Sequence, residues 1–423
     1  MKEDFLHYIW RYLKFDYKNL KTTDNQSVKI WSQGEYLQQQ GPDFFNAKLE
    51  IDGQIWAGNV EIHIKSSDWY LHNHQEDTNY QNVILHVVWT DDVPVINLNG
   101  VPIPTIELHE KVDKNLIKNY KKHFDFQSSI PCSNQVHEVE KDRITLFLNQ
   151  LILKKLELKS IEIEHELEES NRHWEALFLK KLFHYFGSNI NGNSFEHYIK
   201  NIPFHVFQKT RQSTEQLHAL FYGFMNILPE NSDDFVEQLK KEYQYIKHLY
   251  QLSMVAYPIS YFKLRPDNFP TIRISQFVEF VHKHPSLFFE LIEIKTLKDY
   301  YSFFDTKAHP YWKDKYVFGK TSTKISPKKM SKTFINLLLI NVVLPFKYTY
   351  FKNKNEKNVD EIIEIYEQLE VEKNHIIEKF PSTVFTKQNA LHSQAILHLY
   401  NQYCTKKQCM KCTIGNLLLR QKK

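Results

Sequence analysis

Glycine is scarce in this chain, with 10 in 423 residues, and neither GxGxxG nor GxxxxGK[ST] occurs. That excludes the Gly-rich loops whose bare backbone cradles nucleotide phosphates. Cysteine is scarcer still. Of the four, three crowd into residues 404–412 at metal-ligand spacing instead of scattering as a disulfide framework. No secretory leader is legible, because residues 1–15 are amphipathic and carry Glu3 and Asp4 where a basic n-region and an apolar core would stand. The most apolar later run, residues 334–346, is short for a bilayer and holds Asn336 and Asn341. These absences point to a soluble, cytoplasmic protein. A net charge of +4 is too small to mark a nucleic-acid binder by itself, so local distribution must decide.

The length calls for two or more domains. The 42% hydrophobic content supports folded cores, and 30 Phe with 24 Tyr means cores built largely from rings. The α/β character sits at the front. Residues 5–13 repeat apolar positions at helical spacing, and residues 28–31 could form a strand. A polar segment, residues 35–40, then leads to Gly41-Pro42-Asp43, where the proline holds the backbone in a turn. Strands are expected over 44–51 and 55–64, joined at Asp52-Gly53, a strong hairpin signal. Asp43 then opens one strand and Glu61 lies near the end of its partner. On that partner Val60, Ile62 and Ile64 share an apolar face. Glu61, His63 and Lys65 share the other, roughly 6–7 Å apart in sequence order.

Two carboxylates on neighbouring strands can hold a hard divalent cation that activates a water against a phosphodiester. An ammonium nearby can steady the charged transition state. An imidazole ligand shifts preference from Mg²⁺ toward Mn²⁺. The pattern resembles the PD-(D/E)xK nuclease superfamily, in which an Asp beside a Pro opens a strand and Glu-x-Lys lies on the next. Pro42-Asp43 matches the first half. The second half departs: either Glu61 is the metal acid and Lys65 reaches back, or His63-Ile64-Lys65 is the motif with His replacing the acid. The resemblance implies a restriction-endonuclease-like mixed sheet with flanking helices.

Residues 66–82 form a polar connection in which His72, His74 and Asp77, with His86 beyond, could build a second metal site or line the same one. A loop packed on Trp69 and Tyr70 is the plainer reading of any single residue there. Residues 82–89 read as a central buried strand, and His86 within them as a satisfied core histidine or a ligand. Further strands are expected over 93–106. GPDF at 41–44, GNVEIH at 58–63, SSDW at 66–69, YQNVILHVVW at 80–89 and RPDNFPTIR at 265–273 together resemble a bacterial family, domain of unknown function 2851. That resemblance implies shared architecture and no established activity.

After a helix over 111–124 and a linker, the chain turns helical. Residues 144–169, 173–186, 214–228, 235–252, 359–380 and 389–404 carry the helical period. The expected division is a nuclease-like domain at 1–125 and a helical domain at 126–423. Lys263, Arg265 and Arg273 fall in a proline-broken segment that would suit a loop facing phosphate, or a simple capped interhelical loop. Residues 312–347 hold eight Lys and one Asp with Tyr311, Trp312, Tyr316 and Phe318 interleaved, a band that fits stacking on DNA or RNA or is an ordinary Lys-rich surface.

Cys404-x4-Cys409-x2-Cys412, with Cys132 as the only other cysteine, could give four thiolates for Zn²⁺ or a [4Fe–4S] cluster. Lys406, Lys407 and Lys411 would favour the thiolate forms. Some RecB-type nucleases resemble this arrangement, with one distant and three clustered cysteines around an iron–sulfur cluster; here the distant cysteine follows the nuclease motif. The expected function is hydrolysis of phosphodiesters in DNA or RNA, with Mg²⁺ or Mn²⁺ at Asp43 and Glu61 and help from His63 and Lys65. The rivals are a non-catalytic nucleic-acid-binding module on the same fold and a His-metal hydrolase of a small substrate.

Overall fold

The computed structural model describes residues 1–36, 41–124, 126–230, 233–253, 256–355 and 359–421, so most of the polar segment expected before Gly41 lies outside the described residues. The chain forms two compact units. The first comprises Met1–Leu148, His375–Thr386 and Ile396–Lys423; the second comprises Asn149–Asn374 and Lys387–Ala395. This differs from a single cut after residue 125. Apolar positions of residues 130–148 and of the C-terminal tail pack with the sheet unit, so the tail with its cysteines belongs to the first unit.

The first unit carries a mixed sheet. Its strands are β1 (Leu20–Lys21), β2 (Ser27–Ser32), β3 (Glu35–Tyr36), β4 (Phe44–Ile51), β5 (Gln54–Lys65), β6 (Val83–Thr90) and β7 (Thr105–Glu107). The spatial order is β1-β2-β4-β5-β6-β7, with β3 also pairing β4. The β4–β5 hairpin turns where its Asp-Gly pair predicts, with Ile51 opposite Gln54 and positive φ at both Asp52 and Gly53. β5 then pairs β6 in parallel, and β6 pairs β7 in parallel. A parallel pair needs a crossover, and residues 66–82 supply one containing helix α2 (Asp68–Leu71) and two 3₁₀ turns, His74–Glu76 and Thr78–Tyr80. Gly58 lets the strands meet there. A Cβ at that position would stand 2.6 Å from Asn82 O and 2.5 Å from an Ile84 methyl. Helix α1 (Glu3–Arg11) packs against β5, and α3 (Lys114–His123) follows β7.

One face of β5 is apolar as expected, with Val60 and Ile62 buried. The opposite face is covered too: Glu61 and His63 are 5% and 1% exposed. Residues 93–106 give only β7 and an isolated bridge from Ile96 to Pro102. Three prolines in that stretch limit ladder pairing.

The second unit is helical around one large core. The expected helices occur as Lys141–Glu169, which begins in the first unit, Trp174–Phe186, Thr214–Phe224 and Asp234–Leu249. The long helix expected over 359–380 breaks into Val359–Gln368 and His375–Glu378. The apolar run at 334–346 sits inside a continuous helix, Lys332–Asn353, long and apolar enough by length and composition to cross a membrane. However, 78% of its apolar window is buried within the protein, as in a core helix.

Candidate metal centre

Asp43 enters from the turn before β4. Its backbone N–H donates to Glu61 Oε2 at 3.0 Å, and its Oδ2 accepts from the Ile62 N–H at 3.1 Å. Each carboxylate is therefore fixed by the other's strand. Glu61 Oε1 lies 3.6 Å from His63 Nε2 and 3.5 Å from His74 Nε2. His63 Nε2 is 3.1 Å from His72 Nδ1, and its Nδ1 is 2.8 Å from His86 Nε2. His63, His72 and His74 each offer a ring nitrogen, all within 4.8 Å of one another. From α1, His7 brings Nε2 to 3.1 Å from Asp43 Oδ2.

Local structure explains this convergence. Strand alternation puts Glu61 and His63 on one face, and the parallel register sets His86 opposite Glu61 on the same face. The crossover after Lys65 folds back over that face and delivers His72 and His74. Tyr80 stacks on the His74 ring, with centroids 3.7 Å apart, and Trp69 meets it edge-on. His72 stays exposed, so the cluster has an open side.

Burial decides the charge state. It raises the Glu61 carboxyl to about 10, the negative charge of Asp43 adding to it and the Asp43 N–H opposing. Burial lowers His63 to about 2, with His86, His74 and His72 adding to the effect. Burial likewise lowers His74 to about 4, with His72 adding and Asp77 opposing, and His86 to about 3, with His74 adding. The Glu61–histidine contacts are therefore neutral near pH 7 and are not ion pairs. Neutral imidazoles are what a metal requires, and a carboxyl protonated only for want of a cation would ionise beside one. For His63 to present Nε2, its proton must sit on Nδ1 and go to His86 Nε2. The His86 proton then sits on Nδ1, a buried atom with no hydrogen-bond partner among the described residues.

The remaining expected site residues divide. His72 and His74 join the first centre and do not form a second one. His86 stands behind His63 as its partner. Asp77 caps a 3₁₀ turn through the Asn79 N–H. Lys65, expected beside the carboxylates, has instead a side chain that is 60% exposed with its Nζ 3.8 Å from Asp92 Oδ2, because β5 ends there and Lys65 lies past the covered part of the face. In the second unit Lys263 and Arg265 are exposed. Arg273 and Trp312 are buried, contrary to the expected contact with nucleic acid. Arg273 is 5% exposed, bonds Gln276 and Asn268, and lies over the Phe334 ring at 3.4 Å. Pro270 starts a helix, Pro270–Lys283, which carries Arg273 inward. Trp312 is fully buried in the unit core and offers no face to a base. Cys132, Cys404, Cys409 and Cys412 line one small cavity.

Sequence reasoning missed His7 and Glu3, which face the centre from α1. Burial raises Glu3, with His7 and Asp43 next among the influences on it. The available signal was their i,i+4 spacing, which puts an acid and an imidazole on one helix face.

Fold and geometry together define a sheet-borne carboxylate–imidazole cluster arranged as a candidate metal centre. The chain belongs to the family of proteins of unknown function DUF2851, which matches residues 3–375. That span includes all of the cluster and Cys132 and ends before the three clustered cysteines. No curated protein and no solved structure matches the chain.

Proposed function

We propose that the first unit is a divalent-metal-dependent hydrolase of phosphodiesters in DNA or RNA, on a restriction-endonuclease-like sheet. The observation that carries this is the reciprocal clamp of Asp43 and Glu61 beside three mutually close imidazoles. Asp43, Glu61, His63, His72 and His74 would hold the ion, and the imidazole share favours Mn²⁺ over Mg²⁺. A bound ion supplies Lewis acidity and a water acidic enough to attack near neutral pH. The chain contributes the rest. Glu61 would give up its proton to an ion, His86 keeps the His63 lone pair turned inward, and His7 stands against Asp43, while His63 fills the lysine position of Glu-x-Lys. A polyanionic substrate is favoured by a groove of about 1080 Å³ in this unit, lined by Lys14, Lys111, Lys114, Lys118, Lys122 and Arg420 and by three acids.

Cleavage of single- and double-stranded DNA and of RNA should be assayed with Mg²⁺, Mn²⁺ and Zn²⁺. Manganese-dependent cleavage is expected, reduced about 100-fold or more in Asp43→Ala, within the range that loss of transition-state stabilisation produces. Metal binding that survives both Asp43→Ala and Glu61→Gln would sink the proposal. The three-imidazole donor set also favours a second reading, a zinc hydrolase of small substrates. Cleavage of a small ester or phosphodiester with Zn²⁺, and none of nucleic acid, would select it.

A further inference from the structure

The first unit gathers all four cysteines of the protein, from positions nearly three hundred residues apart in sequence, into one place. Cys132, Cys404, Cys409 and Cys412 line a single cavity whose other walls are Phe124, Pro131, Tyr403 and Gly415. No disulfide joins them, and the three clustered ones are each 6% exposed.

The backbone around them is built for this convergence. The Cys132 carbonyl accepts from the N–H groups of Gln135 and Val136, which fixes a tight turn. Lys407 Nζ bonds the Ser128 carbonyl and ties the C-terminal loop to that turn. Cys409 opens a 3₁₀ turn, Cys409–Lys411, and Cys412 precedes the helix Thr413–Leu419. Asn416 holds the loop by donating through Nδ2 to the carbonyls of Met410 and Cys412. Gly415 admits the helix to this loop, because a Cβ there would stand 2.1 Å from the Cys409 carbonyl oxygen. A structure that merely stored four thiols would have no need for this scaffolding.

We propose that Cys132, Cys404, Cys409 and Cys412 ligate one iron–sulfur cluster. The spacing C-x4-C-x2-C with a fourth, remote cysteine is one of the arrangements that hold such clusters. Tetrahedral zinc with bonds of about 2.3 Å would use the same four thiolates but would carry no sulfide, which separates the two by analysis. Burial, with the neighbouring thiols next, pushes Cys132 up to about 12, and Cys404 and Cys409 are raised for the same reasons. Without a centre these groups stay protonated and apolar; with one, bonding to iron offsets the cost of burying thiolates.

The site is independent of the histidine cluster, so the two can be tested separately. The full chain, purified without oxygen, should be analysed for iron, acid-labile sulfide and zinc, with visible absorption before and after dithionite. Iron and sulfide are expected in equal amounts, two of each for a [2Fe–2S] core or four for [4Fe–4S]. The absorption should bleach on reduction. Cys132→Ser should lose most of the sulfide, and a His72→Ala/His74→Ala double variant should keep it. If Cys132→Ser does not fold, the sulfide content of the unaltered chain still decides the matter. One zinc per chain without sulfide, four thiols titrating freely in metal-free folded protein, or disulfides among these cysteines would each overturn the proposal.

Discussion

Replacing Glu61 with glutamine tests the electrostatic reading of the candidate metal centre most directly. A carboxyl raised from 4.5 to about 10 by folding takes up a proton between those two values, so folding is opposed progressively as pH rises through that window. The slope is about 1.4 kcal/mol per pH unit, which accumulates to about 3 kcal/mol at pH 7. Glutamine has the shape of the neutral acid. Its carbonyl can accept from the Asp43 N–H, and its amide can donate to the Nε2 atoms of His63 and His74. In chelator, Glu61→Gln should therefore stabilise the first unit by about 3 kcal/mol at pH 7 and leave it unchanged at pH 4.5. Manganese at 1,000 times its Kd should reverse the order, because it then stabilises wild type by about 4.1 kcal/mol and the amide binds it poorly. Hydrogen exchange of the β5 and β6 amides reads this unit alone, at several pH values, with and without Mn²⁺. Identical pH slopes in the two proteins, or equal protection by Mn²⁺, would refute the reasoning.

Three further outcomes are expected. His86→Leu should weaken metal binding about 10–100-fold by removing the acceptor that fixes the His63 tautomer, as isothermal titration would show. Acidification should destabilise the metal-free first unit. His63, His74 and His86 stay neutral in the fold to well below 6.5, so the unfolded chain binds extra protons as pH falls below that value; thermal unfolding should show the loss, and His74→Gln should reduce it. Arg273→Ala should cost the second unit about 2–4 kcal/mol by leaving Asn268 and Gln276 short of a partner and a void beside Phe334, while DNA or RNA affinity stays unchanged in a shift assay.

Much of the sheet was legible because local chemistry and tertiary need agree there. Asp52-Gly53 demands the hairpin, and alternation puts Glu61 and His63 together. The centre was only half legible for a reason of register. Lys65 has the right parity, but parity says nothing of where the covering crossover ends. The roles of His72 and His74 depended on how an irregular loop folds over a strand, which no periodicity encodes. Arg273 and Trp312 misled because a cation and a ring look alike in sequence whether they face water or line a core. The proline at 270 was the available hint that the segment is a helix start. The cysteine convergence was suggested by scarcity, whereas the break near residue 374 gave no periodic signal.

The order of the chain has a consequence for synthesis. The second unit is inserted between parts of the first, so a ribosome finishes making it while the first still lacks its closing segments. At ordinary elongation rates roughly 250 intervening residues take roughly 12–50 s. Through that interval Cys132 waits, already emerged, for three sulfurs not yet translated, and the nascent sheet must be shielded from its neighbours on the polysome.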